Sequence, residues 1–388
     1  MIKRVVFYID SLKAGGAERV TLRMASWCQD AGLSPLVLTH HSLTADFYPI
    51  PAGVERQVEQ PDPLWLVRLG WLGFPWRVLR LRRWLIENRI ELAIGMTTLP
   101  GIKLLLAARS LPLACWISER NYPPAKRPSL PWRLLRWLTY RWADLHLVQT
   151  AQTGEWLRLR LKATPQLLLP NSVAWPLPSF PPVVKPASWL VNTHQDSESG
   201  QSGTSVFLLA VGTKSFQKGF DRLVRAFALL AKSLPCLHLV IAGVTETPYH
   251  GLDQVAGLRS LLNSASSAQK RLHFPGLVGN IADWYAACQM FILSSRYEGF
   301  PNVLLEAMAS GCACVAFDCS TGPADLIRDG ENGLLLPEKA TDHELADAIV
   351  LLYHDQDLRQ RLGHEARLVR DQFSDTCLRQ RFIEALDA

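Results

Sequence analysis

The chain lacks the usual marks of a membrane-spanning, secreted or metal-dependent protein. No run of about 18 apolar residues occurs in its 388 residues, so no transmembrane helix is expected. The N-terminal MIKRVVFYID reads as a strand and not as a signal peptide, because its apolar stretch is short and no cleavage site follows. The eight cysteines are scattered. Cys312, Cys314 and Cys319 come nearest to a cluster, and their spacing fits neither a zinc pair nor a redox pair. They read as small buried apolar residues of a reduced, cytosolic chain. The ten histidines include no HxxxH pair, so no metal site is expected. A Gly-x-Gly-x-x-Gly is also missing, which removes the dinucleotide fingerprint.

What the chain does have is unevenly spread. Residues 1–175 carry 23 Lys/Arg against 12 Asp/Glu, while residues 176–388 carry 18 against 23. Eleven of the 13 tryptophans lie in the basic part. A basic, Trp-rich half beside an acidic half suggests that one half meets an anionic surface.

Short apolar runs alternate with helical patterns along most of the sequence, the signature of parallel α/β sheets. In the first half, strands are expected at Arg4–Ile9, Ser34–Thr39, Leu92–Gly95, Ala114–Ser118 and Leu145–Gln149, with a helix over Glu18–Ala31. Pro176–Ser205 breaks the pattern, beginning with several prolines and ending in NTHQDSESGQSGTS. That composition cannot bury a core, so it reads as a linker with a mobile second half. The alternation then restarts, with strands at Val206–Val211, Leu237–Ala242, His273–Phe274, Met290–Leu293 and Ala313–Phe317. A helix is expected over Phe220–Ser233 and a long helical region up to about Gln269. The expected organisation is two doubly wound domains, 1–175 and 206–374, joined by the linker 176–205. A C-terminal helix, 375–388, is expected to pack back on the first domain. Ligands in such sheets sit at the carboxyl ends of the strands, and two domains face to face make a cleft.

Three segments carry chemistry. Glu298-Gly-Phe-Pro-Asn-Val-Leu-Leu-Glu306 follows a strand. Asn302 is placed to cap a helix that stops at Gly311. A helix N-terminus suits a diphosphate, and the carboxylates Glu298 and Glu306 can hold sugar hydroxyls. Taken alone, the segment also fits an ordinary helix with Glu306 in solvent. Gly212-Thr213-Lys214-Ser-Phe-Gln-Lys218 lies directly after a strand, where a lysine can neutralise charge building on a leaving phosphate. It reads equally as a βα loop with solvated lysines. Gly15 and Gly16, after the first strand, let backbone approach a ligand closely.

Together these segments resemble glycosyltransferases of family 4. Pro170-Asn171-Ser172, Phe274-Pro-Gly276 and Asp325–Gly333 extend the likeness over almost the whole chain, in family order. The resemblance implies a retaining enzyme of GT-B fold, with no cofactor and no metal beyond the nucleotide-sugar co-substrate. Glu306 would hold the ribose and Glu298 the donor sugar. Lys218 would meet the diphosphate, with Gly15, Gly16 and the stretch Phe300, Pro301, Asn302, Val303 and Leu304 lining the donor. One position departs from the family: Thr213 stands where an arginine is usual, and Lys214 beside it can supply the charge only as a point, not as a planar fork. Ser118-Glu119-Arg120-Asn121 resembles the subset that builds bacterial surface oligosaccharides. Glu119 is thereby a candidate for catalysis and Asn121 for acceptor contact, although Glu119 and Arg120 also fit a charged loop in water.

Two basic, Trp-bearing stretches, Leu64–Arg89 and Lys126–Trp142, suit a membrane interface, and they also fit amphipathic helices with tryptophans in the core and arginines in water. Arg80, Arg82 and Arg83 are expected to hold the chain to anionic lipid in a salt-sensitive way. The expected reaction moves a hexose or N-acetylhexosamine, UDP-linked, to a sugar hydroxyl of a polyprenyl-diphosphate-linked glycan. It would take place in the cytoplasm at the inner membrane face, without nucleic acid as a partner. A nucleotide-sugar epimerase of similar fold and a non-catalytic sugar-nucleotide-binding subunit remain as alternatives.

Overall fold

A computed structural model describes residues 2–41, 46–125, 128–161, 164–190, 205–245, 253–262 and 267–387. The second half of the expected linker lies outside the described residues, as do Lys126, Arg127 and parts of the expected long helix before Gln269. Of that helix, Gln254–Arg259 is helical and Ser267–Arg271 is a 3-10 turn. Contacts divide the chain into two compact units: residues 1–171 with 376–388, and residues 172–375.

Unit 1 holds a seven-stranded parallel sheet. Its strands are β1 (Arg4–Ile9), β2 (Ser34–Thr39), β3 (Glu55–Val58), β4 (Leu92–Met96), β5 (Ala114–Ser118), β6 (Leu145–Val148) and β7 (Gln166–Leu168), in the order 3-2-1-4-5-6-7. β3 and β7, the two edges, were not expected. Each is short and only partly buried: β3 is polar at Glu55, Arg56 and Gln57, and β7 has three residues of which two are apolar. Along β1, Val5, Phe7 and Ile9 pack on one face of the sheet and Val6 and Tyr8 on the other. This period-two division shows why the run is apolar throughout: both faces are covered. The C-terminal helix Asp375–Asp387 closes one face, its Phe382 ring lying 5.9 Å from Trp27 and 6.1 Å from Trp116.

Unit 2 repeats the plan with six parallel strands: β8 (Val206–Val211), β9 (Leu237–Ala242), β10 (Leu272–Gly276), β11 (Met290–Leu293), β12 (Ala313–Asp318) and β13 (Leu334–Pro337). Their order is 10-9-8-11-12-13. The helix after β8 spans Phe220–Leu230 and ends before Ser233. Residues 172–190 belong to this unit, where the sequence suggests a free linker from Pro176. Val173 donates its N–H to Phe373 O (2.9 Å), and Val184 exchanges bonds with the Asn280 side chain (2.9 and 3.0 Å). Leu177 is buried in the core beside Trp284. Prolines supply no N–H donors, but their neighbours' polar groups and apolar side chains dock the segment.

Candidate functional site

In a doubly wound sheet the chain reverses direction between the first strand and the fourth, and the loops after those strands diverge to leave a crevice. In unit 2 these are the loops after β8 and β11, and they carry Lys218 and Glu298. The sequence separates the two residues by 80 positions. The structure sets Lys218 Nζ 2.7 Å from Glu298 Oε1, with both side chains largely buried. Ser295 Oγ donates to the same Glu298 oxygen (2.6 Å), and Thr321 Oγ1 donates to Glu298 O (2.7 Å).

The loops are braced from below. Ser294 Oγ donates to Lys218 O (2.8 Å), and Arg296 N–H donates to Gln217 O (2.8 Å). The Arg296 guanidinium grips Asp221 bidentately at 2.7 Å on each arm. Asp221 is held at about 2: burial opposes ionisation, but the bonds from Arg296 and Arg225 outweigh it. Gly219 sits where the loops touch, at φ +62°, and a Cβ there would lie 2.0 Å from Ser294 O. Only glycine meets both conditions. Lys218 is thus the last residue of the short helix Ser215–Lys218, and the longer helix opens after Gly219. Thr213 offers its carbonyl to Gln254 Nε2 (3.2 Å), and Lys214 is exposed at the start of that short helix.

The helix Asn302–Ser310 begins at this crevice and ends at Gly311, φ +85°. Asn302 is its first helical residue and not its cap. Pro301 occupies the cap position, and its carbonyl accepts the N–H groups of Leu304 (3.0 Å) and Leu305 (3.1 Å). Proline's fixed φ and the packing of Pro301 against Gly322 leave the turn no place for a side-chain cap. Leu304 N–H is therefore spent inside the protein. Phe300 and Leu304 are core side chains. Glu306 is not in solvent: it is 5% exposed and Tyr285 OH lies 3.4 Å from its Oε2.

The remaining sequence-predicted residues belong to unit 1. Gly15, in extended backbone, and Gly16 open the helix Gly16–Asp30 after β1. Glu119 and Arg120 follow β5, and the structure buries both, so the solvated-loop reading is corrected. Glu119 accepts hydrogen bonds from Thr98 Oγ1 (2.8 Å) and Tyr140 OH (2.7 Å). Arg120 donates to Asn171 Oδ1 (2.9 Å), its Nε has no partner among the described residues, and burial draws it down to about 9. Asn121 is half-buried at the end of the turn. Thr97, after β4, holds φ +71°, an outlier for a β-branched residue. No local sequence signal marks Thr97, Thr98 or Tyr140, because each matters only through a residue far along the chain.

A second polar cluster at the carboxyl ends of the first strands also went unsignalled. Lys103 Nζ lies 2.8 and 2.9 Å from the two Glu59 oxygens, and His40 Nδ1 lies 3.0 Å from Glu59 Oε2. The hydrogen bond to Glu59 raises the His40 pKa above its ordinary value, against the effect of burial. A cavity of about 300 Å³ opens here, lined by Glu59, Asp62, Arg77, Arg80, Trp84 and Lys103 among others.

Comparison with known proteins agrees in both units. A family model described as Glycosyltransferase Family 4 matches residues 14–173, and one described as Glycosyl transferases group 1 matches residues 192–369. An uncharacterized glycosyltransferase of Haemophilus influenzae is 30% identical over 166 residues, 43% of this chain and 44% of that protein. The matched part therefore spans less than half of that relative. An N-acetylgalactosamine-N,N'-diacetylbacillosaminyl-diphospho-undecaprenol 4-alpha-N-acetylgalactosaminyltransferase of Campylobacter jejuni is 25% identical over 374 residues, 94% of each chain. The crystal structure of Anabaena HepE in complex with UDP and glucose shares the fold, with a TM-score of 0.77 at 21% identity and full coverage of both chains. With two Rossmann-like units and a matching family domain in each, the chain belongs to the family 4, group 1 glycosyltransferases of GT-B fold.

Proposed function

We propose that this glycosyltransferase moves a hexose or N-acetylhexosamine from a UDP-sugar to a sugar hydroxyl of a polyprenyl-diphosphate-linked glycan, with retention of configuration. The observation that carries the reading is the Lys218–Glu298 pair at the crevice of unit 2. As the donor enters, its diphosphate draws the Lys218 ammonium, and Glu298 is released to sugar hydroxyls. Lys218 and the helix start at Asn302 then meet the charge that grows on the departing diphosphate, with no divalent ion needed. Glu306 takes the ribose. Attack comes from the face the diphosphate leaves, without a covalent intermediate.

The donor class is supported by the UDP and glucose bound to HepE, and the acceptor class by the undecaprenyl-linked substrate in the Campylobacter relative's name. The cavity of unit 1 has the chemistry of an acceptor-sugar subsite, since carboxylates, cations and a tryptophan line one space. Such an acceptor sets the reaction in the cytoplasm, at the inner face of the membrane. A screen of UDP- and GDP-sugars, with and without a polyprenyl-diphosphate glycan, tests this. Transfer of one sugar with an α-linkage, seen by NMR, is expected. An isomerised sugar from donor alone would make the protein an epimerase, and UDP binding without turnover would make it a non-catalytic subunit.

A further inference from the structure

The segments Leu64–Leu79 and Leu130–Leu138 turn an unusual amount of apolar side chain outward. Leu64 is 79% exposed, Trp71 83% and Leu130 71%, and Trp65, Val67, Leu72, Trp76 and Leu79 are exposed with them. In the helix Leu130–Thr139 the exposed apolar residues are Leu130, Leu134, Trp137 and Leu138, which are i, i+4, i+7 and i+8 of one face. A helix of a globular unit keeps that stripe for its core. Here Trp132, Leu135 and Arg136 face inward instead, and the stripe is left outside. The two segments join through the Phe74 and Trp132 rings, 5.0 Å apart and edge to face, and Trp65 rests on Trp76 at 6.1 Å. A joined apolar surface of this kind marks a place of contact.

Of the arginines expected to anchor the chain, Arg80 and Arg82 are employed elsewhere, and Arg83 makes a surface pair. Arg77 Nε and Arg80 Nη1 share Asp62 at 2.6 and 2.7 Å. Arg82 donates to Ala107 O (3.0 Å) and Arg109 O (2.6 Å), and Arg83 pairs with Glu87. Arg68 and Arg133 stay exposed at the apolar surface, and no acidic residue occurs in 63–86 or 128–142. We infer that unit 1 docks on an anionic bilayer by inserting this apolar surface, with the few uncommitted arginines at its rim. The choice of a bilayer rests in part on the lipid-linked acceptor proposed above. It rests also on charge: a second copy would bring like-charged rims together, whereas anionic headgroups match them. Tryptophan suits the boundary between headgroups and acyl chains.

The experiment is co-sedimentation of the full chain with phosphatidylglycerol-containing vesicles, at low and high salt. It is joined by quenching of tryptophan fluorescence by lipids brominated on the acyl chain. Binding should persist at high salt to within about threefold, because inserted apolar area is not screened, and the brominated lipids should quench. The variant Trp71→Ser/Leu72→Ser/Leu130→Ser should lose at least tenfold in partitioning, while circular dichroism and UDP binding stay unchanged. Three results overturn the inference: complete release of the wild type by salt, absence of quenching, or a solution dimer that the triple variant converts to monomer. Transfer to a detergent-soluble acceptor reads the proposed function separately. Its absence with vesicle binding intact counts against the acceptor and leaves the docking surface standing.

Discussion

The two units share a topology and differ in almost everything hung on it. Both run their strands in the order 3-2-1-4-5-6, and both place functional candidates on loops that leave the sheet at its reversal point. In unit 2 those loops are cross-braced over a short distance by Arg296, Asp221, Ser294 and the contact at Gly219, and a charged pair is set on top. Unit 1 instead keeps a buried carboxylate on two hydroxyls, a buried arginine without a carboxylate partner among the described residues, and a strained threonine. The difference teaches that the sheet supplies a place while the side chains supply the chemistry.

Acid should act on both units, and it carries the largest expected effect. His146 in unit 1 is drawn down to about 4 by burial, and His273 in unit 2 to about 4 by burial and by Arg259. Each is neutral when folded and takes a proton near 6.5 when unfolded. The unfolded chain therefore binds more protons between these values, and stability falls as pH drops from about 6.5 to 4. The loss is about 3 kcal/mol per histidine at most. Thermal or urea unfolding followed across that range, with His146→Gln and His273→Gln, assigns the loss to each unit. A flat profile would show that neither imidazole is sealed from water.

Next in size is Lys218. Lys218→Ala should lower kcat roughly a hundredfold or more, the scale of losing one charge-stabilising donor, while UDP affinity changes far less. Steady-state kinetics beside calorimetry check this. A near-normal kcat would pass the role to Lys214 and blur the contrast between the units. Glu306→Ala should then cost at least about tenfold in UDP affinity, or about 1.4 kcal/mol. Unchanged binding by calorimetry would remove Glu306 from the donor site.

The smallest effect sharpens the comparison most. Glu119→Gln turns one acceptor of the Thr98 and Tyr140 hydroxyls into a donor. Transfer to the glycan should fall several-fold while UDP binding by calorimetry is unaltered. If UDP affinity fell with it, Glu119 would belong to the donor side, and the division of labour between the units would fail.

Much of the fold was legible because the signals are local. β1, β2, β5, β8, β9 and β11 lie where continuous apolar runs predict strands, and Gly311 stops its helix by a backbone property of one residue. The edge strands were less so: Glu55, Arg56 and Gln57 leave β3 no apolar run, and the two leucines of β7 and three of β13 are too few to tell a strand from a turn. The order of the donor motifs along the chain was likewise open to inspection, and the family followed from it.

The sequence by itself determined which groups are present, at what spacing and next to which turn: two glycines after a strand, a lysine before Gly219, and two glutamates eight positions apart. It determined no pairing across distance. Lys218 meets Glu298 only because β8 and β11 lie side by side in the sheet. Arg77 and Arg80 turn inward only because Asp62 stands across from their helix, while Trp71 and Leu130 remain outside. Apolar and charged periodicity gives the faces of a helix but not what each face meets. Burial, ion pairing and exposure belong to contacts between segments far apart in the chain, and those the tertiary structure alone decides.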